Sequence, residues 1–235
     1  MTNKSSKIIT LVFILIEVVM YATFLFGDFS NSFETTYIKY VGIIFCFLYT
    51  FFTFLKRVEI CRVFLLVAFI FTLISDYFLL IRGEEYNLFI YGICSFIVTQ
   101  IVYFSMINYI RKDKAYFILS LILRAIISLI LYFIVTLIFK FDLPSAFAGI
   151  YFVQLIFNFI DSVFLISVSK KYLILSIGLL LFIGCDICVG LNNLTILDEF
   201  GLNIVNKLMW FFYLPSQTLI ALTNLVIKDK RLKIV

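Results

Sequence analysis

Histidine is absent from this chain. Its absence removes imidazole general bases, Ser-His-Asp triads and His-rich zinc sites, and no catalytic metal or cofactor is expected. Charge is nearly as scarce. Only 14% of the residues are charged and 64% are hydrophobic, against about 25% and about 45–50% in a soluble domain, which excludes a water-soluble globule. Long polar connections are also lacking. The longest, near 27–36 and 192–201, run to about ten residues each, so no extramembrane domain is available to carry a function. Polar/apolar alternation of the kind a membrane barrel needs is missing too: Phe64-Leu65-Leu66-Val67-Ala68-Phe69-Ile70-Phe71 is apolar at every position. No small-x-small cleavage pattern follows the first apolar run at Phe24-Leu25-Phe26-Gly27-Asp28, so that run is read as an uncleaved anchor despite Lys4 and Lys7 before it.

What is present is a series of apolar runs long enough to cross a bilayer as helices, at 8–26, 37–55, 60–81, 87–110, 115–139, 146–168, 172–191 and 202–227. The expected fold is all-α: a polytopic bundle of eight transmembrane helices forming a single transmembrane domain over 1–235. Alternate connections differ sharply in basic residues. One side holds Lys4, Lys7, Lys56, Arg57, Arg62, Arg111, Lys112, Lys114, Lys170, Lys171, Lys228, Lys230, Arg231 and Lys233; the other holds Lys39, Arg82, Lys140 and Lys207. The positive-inside rule then places both termini in the cytoplasm. The net charge of +5 is a topology signal that also favours anionic lipid heads; nucleic acid is not implied. Five cysteines (Cys46, Cys61, Cys94, Cys185, Cys188) lie in or at the edges of spans, which argues against a disulfide framework. The Cys185-Asp186-Ile187-Cys188 spacing is read as packing residues rather than a redox or metal motif.

Five ionisable residues fall inside spans: Glu17, Asp76, Arg124, Asp161 and Asp186. Such residues face the interior, pair, and mark function. Glu17 and Arg124, each near the middle of its helix, are expected to form a salt bridge. Asp161 lies in the cytoplasmic half of its helix, within sequence reach of Lys170 or Lys171. Asp76 and Asp186 each sit about five residues, or roughly 7–8 Å, below the non-cytoplasmic boundary, the depth of a phospholipid's glycerol. Tyr151 and Tyr213 are placed at a similar depth, with Lys39 and Arg82 near the same boundary, so these groups resemble a polar site for a lipid headgroup. Two close carboxyls in a low-dielectric site cannot both ionise easily, which supplies an acid and a base from one residue type. Asp76 and Asp186 are the candidate catalytic pair. Pro215, beside Ser216 and Gln217, is placed to break the last helix near mid-membrane. The two halves read as a parallel four-plus-four repeat, with Asp76 matching Asp186 and Gln100 matching Gln217, so that the third and seventh helices face each other.

Several ordered motifs carry a family resemblance. Tyr37-Ile38-Lys39-Tyr40 matches in part a Lys-Pro at the start of the second helix. Ser75-Asp76-Tyr77-Phe78-Leu79 matches a Gly-Asp-x-x-Leu. Gly178-Leu179-Leu180-Leu181-Phe182-Ile183-Gly184-Cys185-Asp186 is similar to Gly-x-x-x-Phe-x-x-Ser-Asp, and Tyr213-Leu214-Pro215-Ser216-Gln217 to Tyr-x-x-x-Gln; Pro144 followed by Tyr151 is similar to a proline-led sixth helix with its tyrosine. The chain thus resembles the YhhN family, whose animal members are lysoplasmalogenases. It departs from the family where His-x-x-Tyr reads Gln100-Ile101-Val102-Tyr103, where the proline after the lysine is Tyr40, and where Cys185 replaces the serine.

The resemblance implies hydrolysis of the vinyl ether of a lysoplasmalogen, a lysophospholipid substrate, without metal or cofactor. Asp76 and Asp186 would serve as proton donor and cation stabiliser, in an order left open. Lys39 or Arg82 would hold the phosphate, and Gln100, Tyr103, Tyr151, Tyr213 and Gln217 would contact substrate or water. Two further readings stay open: a lipid or ion transporter using the intramembrane carboxylates, and a structural protein whose buried charges only lock helices. Polar groups clustered at one level favour the enzyme, and groups continuing across the membrane favour the carrier. Frequent Phe, Ile, Lys and Asn with short loops point to a bacterial inner membrane. Apart from membrane lipids, no partner or oligomeric state is legible.

Overall fold

An apolar chain in hydrocarbon must satisfy every backbone N–H and C=O within itself, and the computed structural model does so with helices throughout. It describes residues 3–26, 33–82, 86–139, 143–193 and 198–227. Parts of the longest connections, together with Lys140, Lys228, Lys230, Arg231 and Lys233, lie outside the described residues.

The elements are α1 (Asn3–Phe26), α2 (Phe33–Lys56), α3 (Ile60–Asp76), α4 (Tyr86–Arg111), α5 (Lys114–Phe139), α6 (Leu143–Val168), α7 (Leu173–Asn193) and α8 (Glu199–Leu222). A π-helical turn, Tyr77–Ile81, extends α3. Short 3₁₀ turns precede α7 (Lys170–Tyr172) and follow α8 (Thr223–Leu225). The expected all-helical polytopic membrane bundle is therefore what the chain forms, with cores of the elements where the apolar runs put them.

Among the described residues, α1 to α7 are long and apolar enough to cross a membrane, and α8 falls short on apolarity. Its geometry gives the reason. Tyr213, fourteen residues into α8, meets Asp76, which lies only five residues before the end of the π turn. At 1.5 Å per residue these are about 20 Å and about 8 Å along the helices. The first turns of α8, with Asn203, Asn206 and Lys207, thus project beyond the end of α3, where polar residues are tolerated.

The most extensive interfaces are α7 with α8 and α3 with α4, followed by α4 with α6 and α2 with α3. Small residues allow the close approach. A Cβ on Gly92 would come within 2.6 Å of Leu79, and one on Gly178 within 2.9 Å of Ile220; Ser75 Oγ donates to the Gly92 carbonyl at 2.6 Å. The two halves pack alike only in part, for α1 packs on α8 whereas α5 forms no comparable interface with α4. Helices neighbour in sequence order within each, and the last helix of each half packs on the second of the other, α4 on α6 and α8 on α2, as a four-plus-four repeat requires. α3 and α7, by contrast, do not form an extensive interface, so the expectation that they face each other is corrected at the level of the helices. α1 and α5 hold few buried residues and turn side chains such as Leu11, Leu15, Leu119 and Leu129 outward, where hydrocarbon is the matching solvent.

On the basic side, the turn between α2 and α3 is fixed by Glu59, which is fully buried. Arg57 Nε lies 2.5 Å from Glu59 Oε1 and Arg62 Nε 3.0 Å from Oε2. Arg62 also donates to the carbonyls of Thr53 at 2.6 Å and Asn224 at 3.2 Å, tying α2 to the end of α8. Glu59→Ala is expected to destabilise the bundle by about 2 kcal/mol, since it leaves the inner face of Arg62 without its charged partner. A lowered thermal unfolding midpoint in detergent checks this; an unchanged midpoint contradicts it.

Candidate active site

Asp76 is the last α-helical residue of α3, and the backbone then widens into the π turn, which closes where Arg82 N–H donates to the Tyr77 carbonyl at 3.1 Å. Isolated π turns concentrate at functional sites. Asp76 is 3% exposed, and its Oδ2 accepts from Tyr213 Oη of α8 at 2.6 Å. Asp186, seven residues before the end of α7, is half-buried; its Oδ2 accepts from Tyr151 Oη of α6, also at 2.6 Å. Each carboxyl is thus held by a phenol from another helix. Neither pairs with a cation among the described residues.

Aromatic rings join the two halves of this arrangement. Phe182 of α7 sits between the phenols, 5.7 Å from the Tyr213 ring and 6.5 Å from that of Tyr151. Phe96 of α4 stacks on Tyr151 at 5.4 Å and meets Phe182 edge-on at 5.6 Å. On the other flank Trp210 packs perpendicular to Tyr213 at 5.5 Å, and Lys39 Nζ lies 4.2 Å above the Trp210 ring, a cation–π contact. Here a shallow apolar groove opens between α1, α2 and α8, lined by Met20, Thr23, Phe24, Ile38, Lys39, Trp210 and Leu214. Trp210 lines the groove, and Tyr213, packed against it, holds the Asp76 carboxyl.

A profile built from one protein family matches residues 34–224, most of the chain. The chain belongs to the YhhN family. No curated protein and no solved structure matches it. The YhhN match spans α2 to α8 and takes in both aspartates, both phenols, Lys39 and Trp210, whereas the α1 wall of the groove lies before it.

Of the residues singled out in this YhhN chain, Tyr213 meets Asp76 and Tyr151 meets Asp186. Lys39 lies over the Trp210 ring, which packs on Tyr213, and among the described residues it makes no hydrogen bond or ion pair with either aspartate. Arg82 stands exposed at the end of the π turn. Gln100, Tyr103 and Gln217 are fully buried, but one helical turn or more farther inward. Gln100 accepts from Asn158 Nδ2 at 2.9 Å through its side chain and at 2.8 Å through its carbonyl, and Gln217 Nε2 lies 3.5 Å from Ser216 Oγ.

The Glu17–Arg124 salt bridge does not form. Arg124 Nη2 instead donates to Asp161 Oδ2 at 2.6 Å and Asn158 Oδ1 at 2.9 Å, and its Nη1 to Gln154 Oε1 at 3.0 Å. Tyr116 Oη completes Asp161 at 2.5 Å. The reason is adjacency: α5 makes its extensive contacts with α6, while α1 packs on α2 and α8. Asp161 is likewise paired with Arg124, not with Lys170 or Lys171, and both partners are buried. Glu17 is met by Cys46 Sγ at 3.7 Å and Thr218 Oγ1 at 3.3 Å. Pro215 leaves α8 unbroken; the Phe211 carbonyl that proline cannot engage accepts from Tyr21 Oη at 3.3 Å. All five cysteines are free, as the composition implied.

Sequence reading missed Trp210, Phe96 and Asn158, and it placed Phe182 in a motif without a role. Trp210 was signalled by its place three residues before Tyr213, and Asn158 by its place three before Asp161, spacings that share a helix face. Phe96 carried no such signal in a chain with thirty phenylalanines.

Proposed function

We propose that this YhhN-family membrane protein is a hydrolase that cleaves the vinyl ether bond of a lysoplasmalogen in the bacterial cytoplasmic membrane. The observation that carries the reading is a pair of carboxyls at one level, each held by a phenol and neither neutralised by a cation, beside an apolar groove with a lysine on its wall. Asp161, by contrast, is neutralised by Arg124.

Vinyl ether hydrolysis needs a proton donor and an anion. One aspartic acid protonates the alkenyl carbon next to the ether-bearing carbon, the C=C pair forming the new C–H bond and leaving an oxocarbenium ion. The other carboxylate stabilises that cation and takes a proton from water as its oxygen bonds to the cationic carbon. The hemiacetal then collapses by C–O cleavage to a fatty aldehyde and the glycerophospho alcohol, and the pair ends with the one proton it began with. The logic is that of paired carboxylates on a glycosidic bond. Tyr213 and Tyr151 orient the carboxyls, Lys39 neutralises the phosphate, and the groove takes hydrocarbon.

The test is incubation of the purified protein with a lysoplasmalogen and, separately, with an acyl lysophospholipid. Aldehyde from the first and no fatty acid from the second is expected; no aldehyde from folded protein contradicts the reading. Lys39→Met is expected to raise KM about tenfold with kcat little changed, the mark of binding shared by ground and transition states; an unaltered KM removes Lys39 from the phosphate site. A carrier reading draws on the polar groups that continue inward through Asn158 to Arg124 and Asp161. There the carboxylate and guanidinium engage one another through an ion pair and hydrogen bonds, which favours a structural role for them.

A further inference from the structure

Directly inward of the aspartates lies a second set of polar groups that the proposed chemistry leaves unassigned. Thr72 is four residues before Asp76 on α3, Gln217 four after Tyr213 on α8, and Gln100 four after Phe96 on α4. Consecutive helices run in opposite directions, so each of these spacings is one helical turn, about 6 Å, toward the same basic side. Tyr103 lies a further three residues along α4, its hydroxyl facing that of Thr72. Thr218, next to Gln217 in sequence, donates to Glu17 Oε2 at 3.3 Å, and Cys46 Sγ donates to Glu17 Oε1 at 3.7 Å.

Four of these residues, Thr72, Gln100, Tyr103 and Gln217, are fully shielded by the protein. Gln100 Nε2 and Gln217 Oε1 have no hydrogen-bond partner among the described residues, and the Thr72 and Tyr103 hydroxyls have at most one another. A buried polar atom without a partner is costly and rare, and these groups, on three helices at adjoining levels, supply the two to four donors and acceptors that a buried water requires.

We propose that Thr72, Gln100, Tyr103 and Gln217 hold bound water beneath the aspartate pair, and that this water is the hydrolytic reactant. The hydrolytic role rests on the vinyl ether reading; the water site does not. Lipid then reaches the carboxyls from the groove side and water from the opposite, inward side, so hydrocarbon need not be displaced to admit the nucleophile.

Pulsed X-ray hydroxyl-radical labelling, which marks side chains next to bound water even when they are shielded from bulk, tests this on the full chain in nanodiscs. Tyr103 is expected to be labelled and the equally buried Phe69 not. Gln217→Met, close in size but without the acceptor, is expected to lose Tyr103 labelling and to lower lysoplasmalogen turnover about a hundredfold at unchanged KM, the scale of a misplaced reactant. Gln100→Met gives the same readout should that variant not fold. An unlabelled Tyr103 in wild type overturns the site, whatever the protein hydrolyses. Full turnover in a Gln217→Met protein that has lost the label overturns the supply role. Labelled wild type that leaves lysoplasmalogen intact retains the site and overturns the hydrolase reading.

Discussion

Asp76→Asn and Asp186→Asn are each expected to lower aldehyde release by about a thousandfold, within the range contributed by positioned acids and bases, while leaving the thermal unfolding midpoint near that of wild type. Asparagine preserves the shape of the side chain, and its carbonyl oxygen accepts the same bond from Tyr213 or Tyr151 that the carboxylate accepts at 2.6 Å. It can neither donate the proton the alkenyl carbon needs nor carry the charge that steadies the oxocarbenium ion. Loss should be comparable at the two positions, because neither half-reaction proceeds without the other. Full turnover in both variants, measured on folded protein, removes the pair from the chemistry.

The largest effect on stability is expected at Arg124. Arg124→Met leaves the Asp161 carboxyl buried with Tyr116 and Ser120 but no cation, and removing one partner of a buried pair costs about 3–5 kcal/mol. The double variant Arg124→Met with Asp161→Leu should recover most of that loss, since replacing both members with apolar side chains leaves no stranded charge. Unfolding in detergent at a fixed lipid ratio measures both. A single variant as stable as wild type would show that the pair contributes nothing, and a double variant no better than the single would place the cost in packing.

Much of the fold was legible because hydrocarbon leaves the backbone so little choice. The apolar runs at 60–81 and 87–110 became α3 with its π turn and α4, within a residue or two at each end. Of the polar groups placed at one depth, Asp76 meets Tyr213 and Asp186 meets Tyr151. Partner choice was not legible. Glu17 and Arg124 occupy similar depths, but depth says nothing about which helices are neighbours, and α5 turned its arginine to α6. Lys170 and Lys171 are close to Asp161 in sequence yet exposed beyond the helix end. α3 and α7 meet through side chains carried by their neighbours, with the Phe182 ring between two phenols, a contact that repeat symmetry alone does not specify. The π turn after Asp76 left no mark in an all-apolar stretch, and Pro215 sits in a continuous helix because Tyr21 satisfies the carbonyl it frees.

The central claim is that cleavage begins with proton transfer from a carboxyl to the alkenyl carbon. Turnover of lysoplasmalogen in D₂O, with the aldehyde trapped by immediate reduction and analysed by mass spectrometry, tests it most directly. A single deuterium on the carbon next to the former aldehyde carbon is the predicted product. Aldehyde without that deuterium, or no aldehyde from folded protein, would contradict the account.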